Sequence, residues 1–307
     1  MIPIAFAFDQ ALEMPAAVCI SSLLQSAEPA TVYDIFVVCR DRRSLDLENV
    51  GRVMAAHPRH RLTVREVSGE FDGSHQIRGI NTTTYHRLLL ADLIPEYDKL
   101  LYSDVDVIFR EDLRPYFETD LSDCYFGVVR SCAHLDPVLS DYYRSQLHID
   151  PTEAFYAGNL VINSALLRRD HMTEHFTAMA DRQLKYQDMD ILNLTCHGRV
   201  RFLPPAFCVT TYFCDMLARD PRRLLTVWSQ SEIDHAVHHG LIHYNGPKPW
   251  AGASLNADIW WEAYRQSAIF DFNHYYDYFQ RRIDLLDSLP LTKRLKILAR
   301  YFIHGRK

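Results

Sequence analysis

Three short stretches place metal-, phosphate- or proton-binding side chains at useful spacings. The first is Ser103-Asp104-Val105-Asp106, in which two carboxylates alternate directly after an apolar run. In extended backbone, residues i and i+2 face the same side, so both carboxylates can reach one cation. Hard oxygen ligands suit Mg²⁺ or Mn²⁺, cations that also bind diphosphate oxygens. The apolar flanks KLLY and VIF put the pair close to buried structure, where an unpaired charge is costly and a bound metal is a natural partner. Taken alone, the tetrapeptide reads equally well as an acidic turn at a strand end.

The second stretch is His243-Tyr244-Asn245-Gly246-Pro247-Lys248-Pro249-Trp250. A neutral imidazole is a good third ligand beside two carboxylates. Gly246 lets backbone approach closely, Lys248 offers a point charge for phosphate, and two prolines fix the loop. The plain alternative is a rigid aromatic surface loop. The third stretch, Tyr186-Gln187-Asp188-Met189-Asp190, puts two carboxylates at the start of a helix. Asp188 there can cap the helix and complement its dipole, or it can face a substrate.

The elements that must position these groups alternate between strand and helix. Ile2 to Phe8 reads as a buried strand ending in Asp9, followed by a helix with Pro15 near its start. Tyr33 to Cys39 and Leu62 to Val67 read as the second and third strands, with a helix from Ser44 to Ala56 between them. Thr83 to Leu93 reads as a helix stopped by Pro95, and Lys99 to Phe109 holds the fourth strand. This alternation predicts an α/β fold with a mostly parallel sheet. Ligands of such sheets bind outside the carboxyl ends of the strands, which brings Asp9, Asp104 and Asp106 toward one crevice. Asn159 to Asn163 reads as a later strand, and Asp170 to Lys185 and Asp188 to Thr195 read as helices. Residues 200 to 260 show few periodic runs and read as loops packed over the crevice.

Composition excludes several classes. A net charge of −6 carries no nucleic-acid footprint. The seven cysteines are scattered and form no C-x-x-C pair, which fits reduced, mostly buried thiols in a cytoplasmic protein. The N-terminus lacks the features of a signal peptide, and no run of about 18 apolar residues is present to span a membrane. The C-terminal stretch 281–307 is basic, and residues 291 to 304 (LTKRLKILARYFIH) form a basic amphipathic helix suited to an anionic lipid surface or to the protein core. The reading is a catalytic domain over 1–265 and a tail over 266–307.

The chain resembles the retaining glycosyltransferases of family 8, the group containing glycogenin and bacterial lipopolysaccharide galactosyl- and glucosyltransferases. The resemblance runs from about residue 2 to residue 250. It is carried by IAFAFD, TTTYHRLLLADLIPEYDKLLYSDVDVIF, FYAGNLVIN, YQDMDILN and HYNGPKPW. It implies the GT-A fold, a UDP-sugar donor, Mn²⁺ with Mg²⁺ as the other fitting cation, and retention of anomeric configuration. By resemblance, Asp104, Asp106 and His243 match the metal ligands. Ala7 and Asp9 match the uridine end of the first strand, and Arg87 matches an arginine at the donor sugar and phosphate. Gly158 falls in the donor-binding stretch, Gly246 and Lys248 match diphosphate contacts, and Asp188 matches a donor-sugar contact. The implied acceptor is a glycan or lipid-linked glycan, as in envelope polysaccharide synthesis; an acceptor of that kind would suit contact of the basic 281–307 tail with the inner face of the membrane.

Two departures from the family pattern fall on the sugar side. Tyr156 stands where members often carry Asn, and Met189 where they often carry Gln. Met189 can be neither nucleophile nor polar stabiliser, so attack by the acceptor on the face that UDP leaves is the favoured route. Asp190 is the remaining nearby carboxylate that could act as a nucleophile. Two other classes compete. A sugar nucleotidyltransferase would carry a glycine-rich basic loop after the first strand, where this chain reads DQALEMPAAV. A non-catalytic nucleotide-sugar or glycan-binding protein would keep the metal residues and lose turnover.

Overall fold

The computed structural model describes residues 1–69, 71 and 82–304. It divides into two compact units, Met1–Ala268 and Ile269–Lys307. Among the described residues the first unit is built on ten strands: β1 (Ile2–Ala7), β2 (Tyr33–Cys39), β3 (Arg61–Glu66), β4 (Leu100–Ser103), β5 (Val107–Ile108), β6 (Phe126–Val128), β7 (Asn159–Ile162), β8 (Val200–Phe202), β9 (Val209–Thr210) and β10 (Ile242–His243). Seven form one sheet in the order β3-β2-β1-β4-β7-β6-β8, and three form a small sheet in the order β5-β10-β9.

In the large sheet, β3, β2, β1 and β4 run parallel. β7 is antiparallel to both of its neighbours, β4 and β6. The sequence sets this arrangement. β1 and β2 are near-continuous apolar runs, as expected of strands covered on both faces, and every residue of β2 is buried. β3 alternates charged and apolar residues (RLTVRE) and takes the sheet edge, where charge discourages pairing with another chain. The Glu13–Gln25 helix covers the sheet with Ala16 through Leu24 all buried. Pro15 lies in its first turn, where a missing N–H costs nothing.

The expected fourth strand is interrupted, and the interruption makes the site. β4 ends at Ser103, and the chain bends through Asp104-Val105-Asp106 to enter the small sheet as β5. Asp104 N donates to Gly158 O at 2.8 Å, and Tyr244 N donates to Asp106 O at 2.8 Å. The bend is thus tied to the large sheet on one side and to the 243–250 loop on the other. Buried Val105 anchors its middle. Alongside, Ser103 Oγ donates to Asn159 Oδ1 at 2.8 Å and Asn159 Nδ2 donates to Phe207 O at 2.6 Å, pinning β4, β7 and the β8–β9 connection together.

Other elements also differ from the expectation. The 83–93 segment is a 3-10 helix over Thr82–Leu89 followed by one α-turn, Leu90–Leu93. The long helix expected over 170–185 is confined to Met172–Met179, and the segment before it is helical over Ser164–Arg169. The stretch 200–260 is not loop. It holds β8, β9 and β10 and the helices Thr211–Arg219, Gln230–His239 and Ala257–Gln266. Its apolar residues are spread over short elements, so no single window shows a clear period, and tertiary packing decides the structure. The second unit consists of the helices Phe272–Asp287 and Leu291–His304; the last three residues of the basic 281–307 stretch lie outside the described residues.

The Gln187–Cys196 helix is fixed to the segment leading into β7 through Asn193, which is fully buried. Its Oδ1 accepts from Phe155 N at 3.0 Å, and its Nδ2 donates to Phe155 O at 3.0 Å and Met189 O at 2.8 Å. Replacing Asn193 by Ala strands a buried N–H and C=O together, so we expect Asn193→Ala to lower stability by about 2–4 kcal/mol. A urea titration checks this; an unchanged midpoint would show that the pair carries no weight.

Candidate active site

The two carboxylates of the bend point to one place, and each is divided between its two oxygens. Asp104 Oδ1 accepts from Arg87 Nη2 at 2.8 Å and from Tyr102 Oη at 2.7 Å. Asp104 Oδ2 lies 3.5 Å from His243 Nε2. Asp106 Oδ2 pairs with Lys248 Nζ, and Asp106 Oδ1 lies 3.1 Å from the same His243 nitrogen. One oxygen of each carboxylate is therefore held by a fixed cation, and the other is turned toward a shared point. The three ligand atoms lie within 4.8 Å of one another.

Several details fit a divalent cation at that point. Asp106 Oδ1 is buried and meets no protein group but the His243 nitrogen 3.1 Å away, a costly state for a carboxylate oxygen that a cation would relieve. Two carboxylate oxygens and an imidazole nitrogen are a donor set suited to Mn²⁺ and acceptable to Mg²⁺. On the far side of the ring, His243 Nδ1 lies 3.5 Å from Cys208 Sγ, so the ring is gripped from behind. A Cβ on Gly158 would stand 2.2 Å from His243 Cε1 and 3.0 Å from Asp104 Oδ2, so only glycine lets the strand pass this close.

Electrostatics follow from this crowding. Burial opposes the charge of Asp106, but His243 and Lys248 outweigh it and hold the carboxyl well below its usual range. Burial likewise opposes a proton on His243, yet Asp106 outweighs it and raises the imidazole well above its ordinary value. Arg87 is buried and held charged by Asp104 and Asp188 against the cost of desolvation. Its Nε lies 3.0 Å from Asp188 Oδ2, its Nη1 donates to Ala157 O at 2.6 Å, and it stacks 4.6 Å over the Tyr102 ring. Burial raises Asp188 to about 6, with Arg87 opposing the shift.

These residues open on one cavity of about 840 Å³, within the range of small-molecule sites. Ala7, Asp9, Arg87, Asp104, Asp106, Gly158, Asp188, His243 and Lys248 all line it. Two expected residues do not line it. Gly246 packs against Thr211, 3.2 Å from Oγ1 to a built Cβ, while neighbouring Asn245 reaches the cavity. Asp190 is fully buried; its Oδ2 accepts from Tyr142 Oη at 2.5 Å and from Tyr186 N at 2.8 Å. This carboxylate anchors the turn before its helix and does not face the cavity as a nucleophile must. Asp188 is not the N-cap, which is Tyr186; it lies in the helix's first turn, where it complements the dipole, and its side chain pairs with Arg87. Leu139, Tyr143 and Tyr212 line the cavity without having been singled out in the sequence, and Cys208 supports it from behind. They lie on two distant segments, 139–143 and 208–212, with no motif to mark them.

The topology is that of the GT-A glycosyltransferase fold: a mostly parallel sheet whose fourth strand ends in a carboxylate pair at the mouth of the cavity. The chain belongs to glycosyl transferase family 8, whose model matches residues 3–253. It is 28% identical over 225 residues to a Haemophilus influenzae protein named as a glycosyltransferase, covering 71% of this chain and 64% of that protein. It is 27% identical over 175 residues to the lipopolysaccharide 1,2-glucosyltransferase of Escherichia coli, covering 54% of this chain and 49% of that enzyme. Among solved structures, the galactosyltransferase LgtC in complex with donor and acceptor sugar analogues superposes with a TM-score of 0.71 at 26% identity, over 85% of this chain and 95% of LgtC. The chain thus spans less than two thirds of either of these two sequence relatives.

Gly158→Ala places a methyl group against two of the three candidate ligands. We expect it to weaken Mn²⁺ binding by about 10–100-fold, as disturbed ligand positioning does elsewhere, with the far-ultraviolet circular dichroism unchanged. Isothermal titration with Mn²⁺ reads this, and wild-type affinity in the variant would refute the placement.

Proposed function

We propose that the chain transfers a hexose-type glycosyl residue from a UDP-sugar to a glycan or lipid-linked glycan acceptor, with Mn²⁺ as cofactor and with retention of configuration. The observation that carries the reading is the division of the carboxylate oxygens. Arg87 and Lys248 each hold one oxygen of Asp104 and Asp106, and the free oxygens converge with His243 on one point. Cleavage of a glycosyl diphosphate bond leaves negative charge on UDP. A divalent cation held by Asp104, Asp106 and His243 supplies Lewis-acid neutralisation of that charge. Arg87 adds a fixed positive charge there and Lys248 a movable one. Lys248 is on a flexible stem and 35% exposed, so it can turn from Asp106 toward a phosphate.

Ala7 and Asp9, at the end of β1, take the nucleoside side of the cavity. Asp188, ion-paired to Arg87, takes sugar hydroxyls. With Asp190 buried outside the cavity and Met189 lacking an oxygen, the arrangement favours attack from the face that UDP leaves, the departing phosphate accepting the hydroxyl proton. Retention then needs no glycosyl-enzyme bond.

Release of UDP from a panel of UDP-sugars in the presence of Mn²⁺ tests this reading. We expect slow hydrolysis of at least one donor, lost with EDTA and reduced at least 100-fold by Asp106→Asn, a typical cost for removing one electrostatic element. Asp188→Asn should cost a similar factor. Asp190→Asn should change turnover less than about tenfold at temperatures where it is folded, because it acts on positioning. Metal-independent release, or abolition by Asp190→Asn of the folded protein alone, would contradict the reading.

No helix among the described residues is long and apolar enough to cross a membrane. We extend the proposal to peripheral contact through the Leu291–His304 helix, whose sequence carries Lys293, Arg294, Lys296 and Arg300 beside an apolar stripe. Such a helix binds anionic lipid by combined burial and charge. Co-sedimentation with vesicles containing phosphatidylglycerol should be lost on deleting residues 281–307; retention after deletion would refute the contact.

A further inference from the structure

His243 has two ring nitrogens, and they meet different groups. Nε2 lies 3.1 Å from Asp106 Oδ1 and 3.5 Å from Asp104 Oδ2, at the point where the candidate ligands converge. Nδ1, across the ring, lies 3.5 Å from Cys208 Sγ. Both side chains are buried. The thiol touches the nitrogen that the candidate metal does not use, so it is not a fourth ligand.

The backbone on either side of Cys208 is pinned, which fixes where its side chain starts. Phe207 O accepts from Asn159 Nδ2 at 2.6 Å, Cys208 N donates to Pro205 O at 3.1 Å, and Val209 N donates to Leu241 O at 2.8 Å. Directly after Cys208, β9 pairs in parallel with β10 and sets Thr210 opposite His243. Successive residues of extended chain alternate faces, so Cys208, two before Thr210, shares the face of His243. The Thr210 hydroxyl on that face is engaged elsewhere: it accepts from Phe213 N at 3.2 Å and donates to Tyr156 Oη at 3.4 Å. The sulfur is left to meet the ring.

A histidine that ligates a cation does so as the neutral ring. With the Nε2 lone pair given to the cation, the ring's one proton is on Nδ1. Nδ1 then donates, and the Cys208 sulfur accepts. Ligating histidines usually donate this second N–H to a carboxylate, a backbone carbonyl or a water. A carboxylate here would add negative charge to a cluster that already holds Asp104, Asp106 and Asp188. A thiol is a weaker acceptor but polarizable and uncharged, so it orients the ring without that addition.

We infer that Cys208 is a positioning residue of the metal site: by accepting from Nδ1–H it fixes the tautomer and the plane of His243, so that the Nε2 lone pair is presented to a cation shared with Asp104 and Asp106. The inference rests on the metal reading above and adds the group that sets its third ligand.

Isothermal titration of the intact chain with Mn²⁺ tests this on wild type, Cys208→Ser, Cys208→Ala and Cys208→Val, with urea midpoints taken on the same samples. Serine keeps an acceptor for Nδ1, whereas alanine and valine do not, and valine also returns the lost volume. We expect the alanine and valine variants to bind Mn²⁺ about tenfold or more weakly, as when a ligand's outer partner is removed, and the serine variant to recover most of that loss. Electron spin echo spectra of the bound Mn²⁺ should show nitrogen coupling in wild type and Cys208→Ser, and reduced coupling in the two apolar variants. Two apolar variants keep the comparison with serine open where one of them does not fold. Equal affinity in all four proteins, or equal losses in the serine and alanine variants that follow their urea midpoints, would assign Cys208 to packing alone and overturn the inference. Absence of Mn²⁺ binding by the wild type would overturn it together with the reading it rests on.

Discussion

Three carboxylates, Asp104, Asp106 and Asp188, are drawn into one partly buried cleft, and the rest of the site is organised around their mutual repulsion and desolvation. Carboxylates in such a place need partners. The protein supplies three cationic groups, and each does a different job. Arg87 is planar, buried and rigid; it holds Asp104 and Asp188 at once and is itself fixed by the Ala157 carbonyl and the Tyr102 ring. His243 can exchange its proton for a metal. Lys248 is mobile and partly exposed. The result is a cluster whose charges are matched within the protein and that keeps two carboxylate oxygens and a ring nitrogen directed at one point. Preorganisation of this kind lets a site receive a charged ligand without rearranging.

The fold serves that cluster through its junctions more than through its regular elements. Asp104 and Asp106 lie on a bend between two sheets, so their carboxylates converge for a reason other than strand alternation. The antiparallel β7 brings Gly158 against that bend, and the 243–250 loop closes it from the other side through the Tyr244 amide. Buried amide side chains, Asn159 and Asn193, tie the surrounding connections to the sheet. Their hydrogen bonds replace what regular ladders would otherwise supply and fix loops that carry chemistry.

Much of this was legible in the residues. The apolar runs of β1 and β2 and the alternation with helices identify the α/β sheet, because strands buried on both faces leave a strong compositional trace. The Asp104 and Asp106 pair was also readable, since its residue types and spacing are local facts, whereas His243 joins it from a distant stretch and was assigned to the set through the family resemblance. What escaped had no local trace. The helices between 200 and 260 derive their stability from packing across several short segments, so no window shows them. Asp190 and Asp188 are two residues apart on one helix start, and only tertiary structure shows that one faces the cavity while the other lies beneath Tyr142 and Tyr186. Tyr143 and Tyr212 reach the cavity from elements 69 positions apart in sequence. Met189 and Tyr156 were visible as departures from a pattern, and that they line the same cavity as Leu139, Tyr143 and Tyr212 emerges only in three dimensions.

The central claim is that the free oxygens of Asp104 and Asp106, with His243, form a metal site serving a nucleoside diphosphate. Anomalous diffraction at the manganese edge from crystals grown with MnCl₂ and UDP tests it most directly. The account requires one strong peak within coordination distance of Asp104, Asp106 and His243 and in contact with the diphosphate, with Lys248 withdrawn from Asp106. UDP bound with no peak there, or a peak on other residues, would contradict it.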